Sequence, residues 1–249
     1  MTPIDHKRWY DAARKRVSTR RFGDAPDADE MDRLRLLTTA LNGDGIRITI
    51  VGAGEKLFSG LLGSQIKGAQ YAAAIAAEAG AEKTKAGYKG EAFVLEATAM
   101  GLATCWLGGT FKRAEAKRLT ELKDDEKLVN IIAFGKPLIP FVEIPDSDRK
   151  RKDLPSLIKT ADDDLTPWQN TALKCARIAP SAMNVQPWRF ACAAGTICAA
   201  STGMLGRGSE VDLGIAMMHI DLGAAVSNVR GTWAKDKNIW IFTASGANA

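Results

Sequence analysis

The stretch A-P-S-A-M-N-V-Q-P-W-R-F, residues 179–190, constrains the fold more tightly than any other part of the chain. Pro180 ends the helix before it, Pro187 demands an extended residue ahead of it, and Ser181, Asn184 and Gln186 put short polar groups between the two prolines. A rigid polar loop thus joins a helix predicted over 168–178 to a strand predicted over 189–193. Hydroxyls and amides held in such a loop can meet the ring nitrogens and carbonyls of a flat ligand. An ordinary helix-to-strand turn would use the same residues, so the loop counts as a site only if other segments agree with it.

The chain has 249 residues, 46% of them hydrophobic, enough to bury a sizeable core in one large domain or two small ones. Residues 1–15 are polar and charged where a signal peptide needs an apolar core, and the softest apolar run, 213–226, carries His219 and Asp221. These features predict a cytoplasmic protein without a membrane span. The four cysteines, Cys105, Cys175, Cys192 and Cys198, lack the spacing of a metal or redox-dithiol motif. A net charge of +5 could suit nucleic acid, but the one dense basic run, R-K-R-K at 149–152, has no interleaved aromatics. A bound anionic cofactor accounts for a mild surplus equally well.

Residues 4–15 read as an amphipathic helix burying Trp9, Ala12 and Ala13. The stretch R-V-S-T-R-R-F (16–22) follows, with Arg16 and Arg20 flanking Ser18, a set suited to gripping a phosphate or to ending a helix with cations. A helix with Met31, Leu34, Leu36, Leu37 and Leu41 on its apolar side precedes a half-buried strand over 46–51. Gly52-Ala53-Gly54 imitates a dinucleotide-binding turn, but Leu57 stands where the third glycine belongs, so the segment reads as a turn. Residues 71–77 are an alanine-rich strand or buried helix, which periodicity does not decide, and 79–87 read as a polar loop. A helix from Tyr88 to Met100 breaks at Gly101 into G-L-A-T-C-W-L-G-G (101–109), whose glycines allow close backbone approach to a ligand. Cys105 there reads as core. A buried strand over 129–134 leads to Gly135-Lys136-Pro137 and then the basic run. Residues 162–165 are the expected linker, Thr166 and Pro167 start the next helix, and strands are predicted over 196–200 and 238–243 with a buried helix over 213–226 between them. His219 reads as a satisfied core histidine.

Residues 16–22, 101–109, 135–137 with the basic run, and 180–188 (P-S-x-x-N-x-Q-P-W) each resemble a motif of the FMN-dependent nitroreductase family. That resemblance implies an α+β, three-layer α/β/α fold with mixed, mainly antiparallel sheets, and FMN as the redox centre for NADH or NADPH and a nitroaromatic, quinone or similar small-molecule acceptor, in ping-pong order. Flavin reduction, another reaction on the same fold, or flavin binding without catalysis are the alternatives. Carried over position by position, Arg16, Val17, Ser18 and Arg20 would hold the FMN phosphate, helped by Arg151 or Lys152. Trp106, Leu107, Gly108 and Gly109 would face the flavin, with the Gly108 N–H toward N5. Pro180, Ser181, Ala182 and Asn184 would line the ring. The resemblance implies no protein nucleophile, no metal and no nucleic-acid or membrane partner. Val17 departs from the usual basic residue, and the P-S-x-x-N loop comes last instead of early. That order resembles the single-chain, thermophile-type members in which two half-domains are fused. Residues 1–161 and 162–249 would be the halves of an intrachain pseudo-dimer that works as a monomer, with Gly90-Glu91-Ala92 and Gly214-Ile215-Ala216 each opening a central helix.

Overall fold

A computed structural model describes residues 5–53, 56–58, 65–161, 164–203 and 209–245. Gly54 of the G-x-G pair and Asp162 of the expected linker lie outside them. The elements run α1 (His6–Lys15), α2 (Ala28–Leu41), β1 (Ile46–Gly52), β2 (Tyr71–Glu78), α3 (Lys83–Ala99), β3 (Ala103–Leu107), α4 (Arg113–Thr120) and β4 (Glu126–Gly135). They continue with α5 (Leu154–Leu157), β5 (Ile158–Ala161), α6 (Pro167–Arg177), β6 (Trp188–Ala193), β7 (Thr196–Ser201), α7 (Ser209–Val226), β8 (Arg230–Asp236) and β9 (Ile239–Ser245). Two compact units result: Lys15–Glu143 is one, and Ile4–Arg14 with Ile144–Ala249 is the other. Residues 144–161 therefore pack with the second unit, where β5 pairs in parallel with β6.

The first unit holds a four-stranded antiparallel sheet in the order β1-β2-β4-β3. Its central strand β2 is the alanine-rich stretch, and the reason its period was illegible is burial on both faces. Ala72 and Ala74 join a core with Phe22, Cys105, Leu107 and Ala116, the last on α4. Ala73, Ile75 and Ala77 join another with Met31 and Leu34 of α2 and Phe93, Val94 and Ala97 of α3. Within this unit the α/β/α layering is present. Two helix expectations change. Leu36 faces solvent at 68% exposure, because only Met31, Leu34 and Thr38 are fully buried on α2. Helix α3 begins at Lys83, five residues before Tyr88, because Thr84, Ala86 and Gly87 of its polar-looking first turns are buried. Strand β3 occupies the middle of the glycine motif, and α4 follows it where no helix was predicted.

The second unit holds a five-stranded sheet, β5-β6-β7-β9-β8, antiparallel except for the β5–β6 pair. Trp188, Phe190 and Cys192 of β6, Ile197 and Ala199 of β7, and Trp240 and Phe242 of β9 are buried in alternation. α6 and α7 pack closely because Gly223 carries no side chain: a Cβ there would lie 2.4 Å from the Ala172 Cα. Strand β8, absent from the sequence reading, is a mostly exposed edge carrying Lys235 and Asp236.

The units repeat one topology. In each, a helix with a capping box (Asp27/Glu30 on α2, Thr166/Gln169 on α6) precedes two strands, a buried helix and two more strands, paired in the same spatial order. α3 and α7 end alike, with Gly101 (φ 87°) and Asn228 (φ 61°) left-handed and the next amides, Leu102 N–H and Val229 N–H, returning to Ala97 O and Ala224 O at 2.9 Å. At the same spacing after each cap stands a tryptophan, Trp106 and Trp233, whose Nε1–H donates at 2.8 Å to an acid of the helix before it, Glu91 and Asp221. The repeat is thus aligned by the helix ends. Gly90 and Gly214, expected to open the two helices, lie inside them.

Candidate functional site

In the first unit the 16–22 stretch is extended and stitched into its surroundings. Ser18 bridges Thr104 in parallel, Thr19 N–H donates to Thr104 O at 2.9 Å, and Phe22 N–H donates to Lys67 O at 2.8 Å. Lys67 N–H donates in turn to Arg20 O, and Gly23 N–H to Lys136 O. Gly68 permits this, since at φ 79° a Cβ would sit 2.3 Å from Phe22 O. Ser18 and Arg20 are exposed beside β3, Val17 is half-buried, and Arg16 is buried with its Nη1 3.5 Å from Ser18 Oγ. Lys136 of the Gly135-Lys136-Pro137 turn is held by Glu30 at 2.6 Å and Asp27 at 3.4 Å.

Strand β3 carries the glycine motif toward solvent. Leu107 is buried, whereas Gly108 and Gly109 are exposed, and nothing lies within 4 Å of where a Gly109 side chain would start. Arg113 Nη2 donates to Gly108 O at 3.1 Å and Asn130 Nδ2 to Leu107 O at 3.4 Å, which orients the peptide bonds at the strand end. Trp106 lies over Gly90 of α3, where a Cβ would come within 2.3 Å of its ring. Burial raises the Cys105 thiol pKa, and the Arg20 and Arg16 charges only partly oppose it. A thiol of that kind is a poor nucleophile.

In the second unit the P-S-x-x-N loop is a braced, strained turn. Ile178, Ala179 and Pro180 are buried; Ala182, Met183 and Asn184 then form an exposed single 3-10 turn. Met183 (φ 49°), Asn184 (φ 58°) and Gln186 (φ 50°) are all left-handed, a conformation that costs a non-glycine residue on the order of 1 kcal/mol. The basic run supplies the restraint. Arg151 Nη1 donates to Asn184 Oδ1 at 2.6 Å, Asn184 Nδ2 to Lys150 O at 2.5 Å, Lys152 N–H to Gln186 Oε1 at 2.8 Å and Lys152 Nζ to Gln186 O at 3.2 Å. Gln186 N–H closes on Ser181 Oγ at 2.9 Å, and Arg177 Nε anchors Lys152 O at 2.8 Å. Arg149, buried, donates to Arg14 O. A further anchor that the sequence did not reveal is Asp212, in the first turn of α7, which accepts Ala182 N–H at 3.0 Å. Burial pushes its carboxyl up to about 6 despite that hydrogen bond.

Thus Pro180, Ser181, Ala182, Asn184, Arg151 and Lys152 come together in the second unit, and Val17, Ser18 and Arg20 gather beside the strand that carries Trp106, Leu107, Gly108 and Gly109 in the first. The family described as “Putative TM nitroreductase” matches residues 8–224. The chain belongs to this nitroreductase family. Membership makes it an oxidoreductase, and the mixed α+β architecture agrees. Among solved structures, one described as a “putative nitroreductase” from Thermotoga maritima is 24% identical, with 98% of this chain and 96% of that one covered at a TM-score of 0.64, which establishes a shared fold over the whole length. An FMN-dependent nitroreductase from Clostridium difficile is 18% identical over 56% of this chain and 93% of its own, at a TM-score of 0.45. No curated protein matches the sequence. Among the described residues no helix is long and apolar enough to cross a membrane. His219 is buried with Nδ1 3.1 Å from Cys175 O, a core contact at the α6–α7 packing.

Proposed function

We propose that this nitroreductase-family member binds one FMN per chain and uses it to pass reducing equivalents from NADH or NADPH to a nitroaromatic, quinone or similar small acceptor in a ping-pong cycle. The observation that carries the reading is the way the two units differ inside one topology. The first unit joins α2 to β1 through residues 42–45 alone, whereas the second joins α6 to β6 through the polar loop 178–187. Conversely, the second unit turns from β8 to β9 in residues 237–238, whereas the first expands the same connection into 108–125, starting with the exposed glycines. Each unit thus keeps a segment that the other lacks.

The donor set fits FMN. Ser18 Oγ and the Arg20 guanidinium suit a phosphate, and the exposed backbone at Gly108 and Gly109 suits a flat ring approached closely. When bound, the flavin supplies hydride acceptance and donation at N5. The chain's own part is to hold and orient: the Ser181, Asn184 and Gln186 network keeps the loop from relaxing, and the Arg113 and Asn130 bonds aim the peptide N–H groups after β3. No cysteine or carboxylate is required as a nucleophile. Purified protein titrated with FMN, followed by anaerobic reduction with NADH and NADPH and by light scattering, tests the proposal. One FMN per chain on a monomer, reduced by at least one nicotinamide, is expected. Two FMN per chain, or no binding, would refute it.

A further inference from the structure

Helix α3 carries a carboxylate, Glu91, with no exposed surface in the middle of an apolar segment. A charge in that position persists only beside groups that satisfy it. One is the Trp106 indole, whose Nε1–H donates to Glu91 Oε2 at 2.8 Å. Gly90 makes that contact possible, because any side chain there would overlap the indole ring. A candidate for another lies across the β3 pairing. The bridge between Ser18 and Thr104 brings the 16–20 stretch to the strand that carries Trp106, and Thr104 and Trp106, two apart, share a face of β3. Arg16 is the cation of that stretch that goes inward, with 3% of its surface exposed, while Arg20 stays exposed. Burial lowers the pKa of the Arg16 guanidinium, and the Glu91 charge is the main influence raising it again.

We infer that Glu91 is a positioning residue: it locks the Trp106 indole ahead of the exposed glycines and serves as the interior counter-charge of Arg16, so that the two arginines of the 16–20 stretch divide their work. Arg16 is a core cation that ties this stretch to α3. Arg20, with the Ser18 hydroxyl, is the cation that faces an anionic ligand. Trp106 stands two residues before Gly108, so the same carboxylate sets the register of both the anion-facing segment and the strand end. The second point rests on the flavin reading above; the first stands without it.

A charge-exchange cycle on the full chain separates the two. Arg16→Gln and Glu91→Gln should each lower the melting temperature, by about 6–20 °C for a broken buried pair in a chain of this size. The double variant should recover most of that loss, and if the single variants do not fold, recovery of folding in the double variant is the same result at its limit. In Glu91→Gln the amide oxygen still accepts the indole hydrogen bond, so the Trp106 Nε1–H resonance should stay near its original position, whereas Glu91→Ala should move it. For FMN, Arg20→Gln should weaken binding about tenfold or more, the loss of a charged hydrogen bond, while the double variant should stay within about threefold of the parent. A double variant no more stable than the worse single variant would overturn the pairing. A double variant that folds but loses FMN as severely as Arg20→Gln would overturn the division of work. If the parent chain bound no FMN, the flavin reading would fail, and the unfolding cycle and the indole resonance would still decide whether Glu91 pairs with Arg16.

Discussion

The two units share a strand order and a helix-end geometry yet bury their sheets differently. The first sheet has a core on each face, so β2 and β4 present apolar residues on both sides. The second fully buries one face, while Arg189, Ala191, Ala193, Cys198 and Ala200 on the other remain half-exposed. A duplicated topology therefore does not impose a duplicated sequence pattern. What the two units share is backbone geometry: capping boxes, left-handed helix ends and the tryptophan-to-acid hydrogen bond. What diverges is loop length, and Gly108, Gly109 and the 180–184 segment lie in the connections that differ.

The sharpest test of this contrast compares the glycines of the two central helices. In Gly223→Ala the new Cβ meets backbone, 2.4 Å from Ala172 Cα and 2.8 Å from Thr171 O, so α6 and α7 must separate. A loss of about 3 kcal/mol is expected by urea denaturation. In Gly90→Ala the clash is with side-chain atoms of Trp106 and Ile75 rather than with backbone, and the better helix propensity of alanine returns about 1 kcal/mol, leaving a net loss of about 1–2 kcal/mol. Equal losses at the two sites would mean that the helix pair of the second unit is looser than its geometry.

The units should also respond to pH with opposite sign. In the first, Glu126 is bonded by Arg47 and held at about 2, below its ordinary 4.5. Its folded pKa is depressed, so its contribution is present above pH 4.5 and is lost as pH falls toward 2, up to about 3 kcal/mol. In the second, burial raises Asp212 from 3.8 to about 6. Its contribution is complete below pH 4 and is lost as pH rises through 6, by about 2–3 kcal/mol. Stability measured across pH 2–7 should lose its acid-side rise in Glu126→Gln and its decline between pH 4 and 6 in Asp212→Asn. An unchanged profile in either variant would remove that group from the account.

The smallest effects test the shared caps. Thr166→Ala should cost about 1 kcal/mol, since Thr166 Oγ1 and the Gln169 side chain satisfy each other's backbone amides. Asp27→Ala should destabilise in the same direction, with the added loss of the Lys136 contact. Should Asp27→Ala prove neutral, the equivalence of α2 and α6 would be one of topology alone.

Sequence by itself determined the features whose cause is local. Thr166-Pro167 and Gln169 start α6 wherever it packs, Pro180 and Pro187 bound the polar loop, and Trp9, Ala12 and Ala13 define the buried side of α1. The alternation of β6 is legible because only one of its faces is fully buried. Tertiary structure decided the rest, where several distant segments compete for one residue. Burial on both faces erased the period of β2, and a buried first turn hid the start of α3 in what looked like polar loop. That the basic run 149–152 braces Asn184 and Gln186 is decided by tertiary packing, because the two segments lie more than thirty residues apart in sequence. Nothing in R-V-S-T-R-R-F tells Arg16 from Arg20, because which guanidinium turns inward is set by how the stretch packs beside β3, a strand more than eighty residues away.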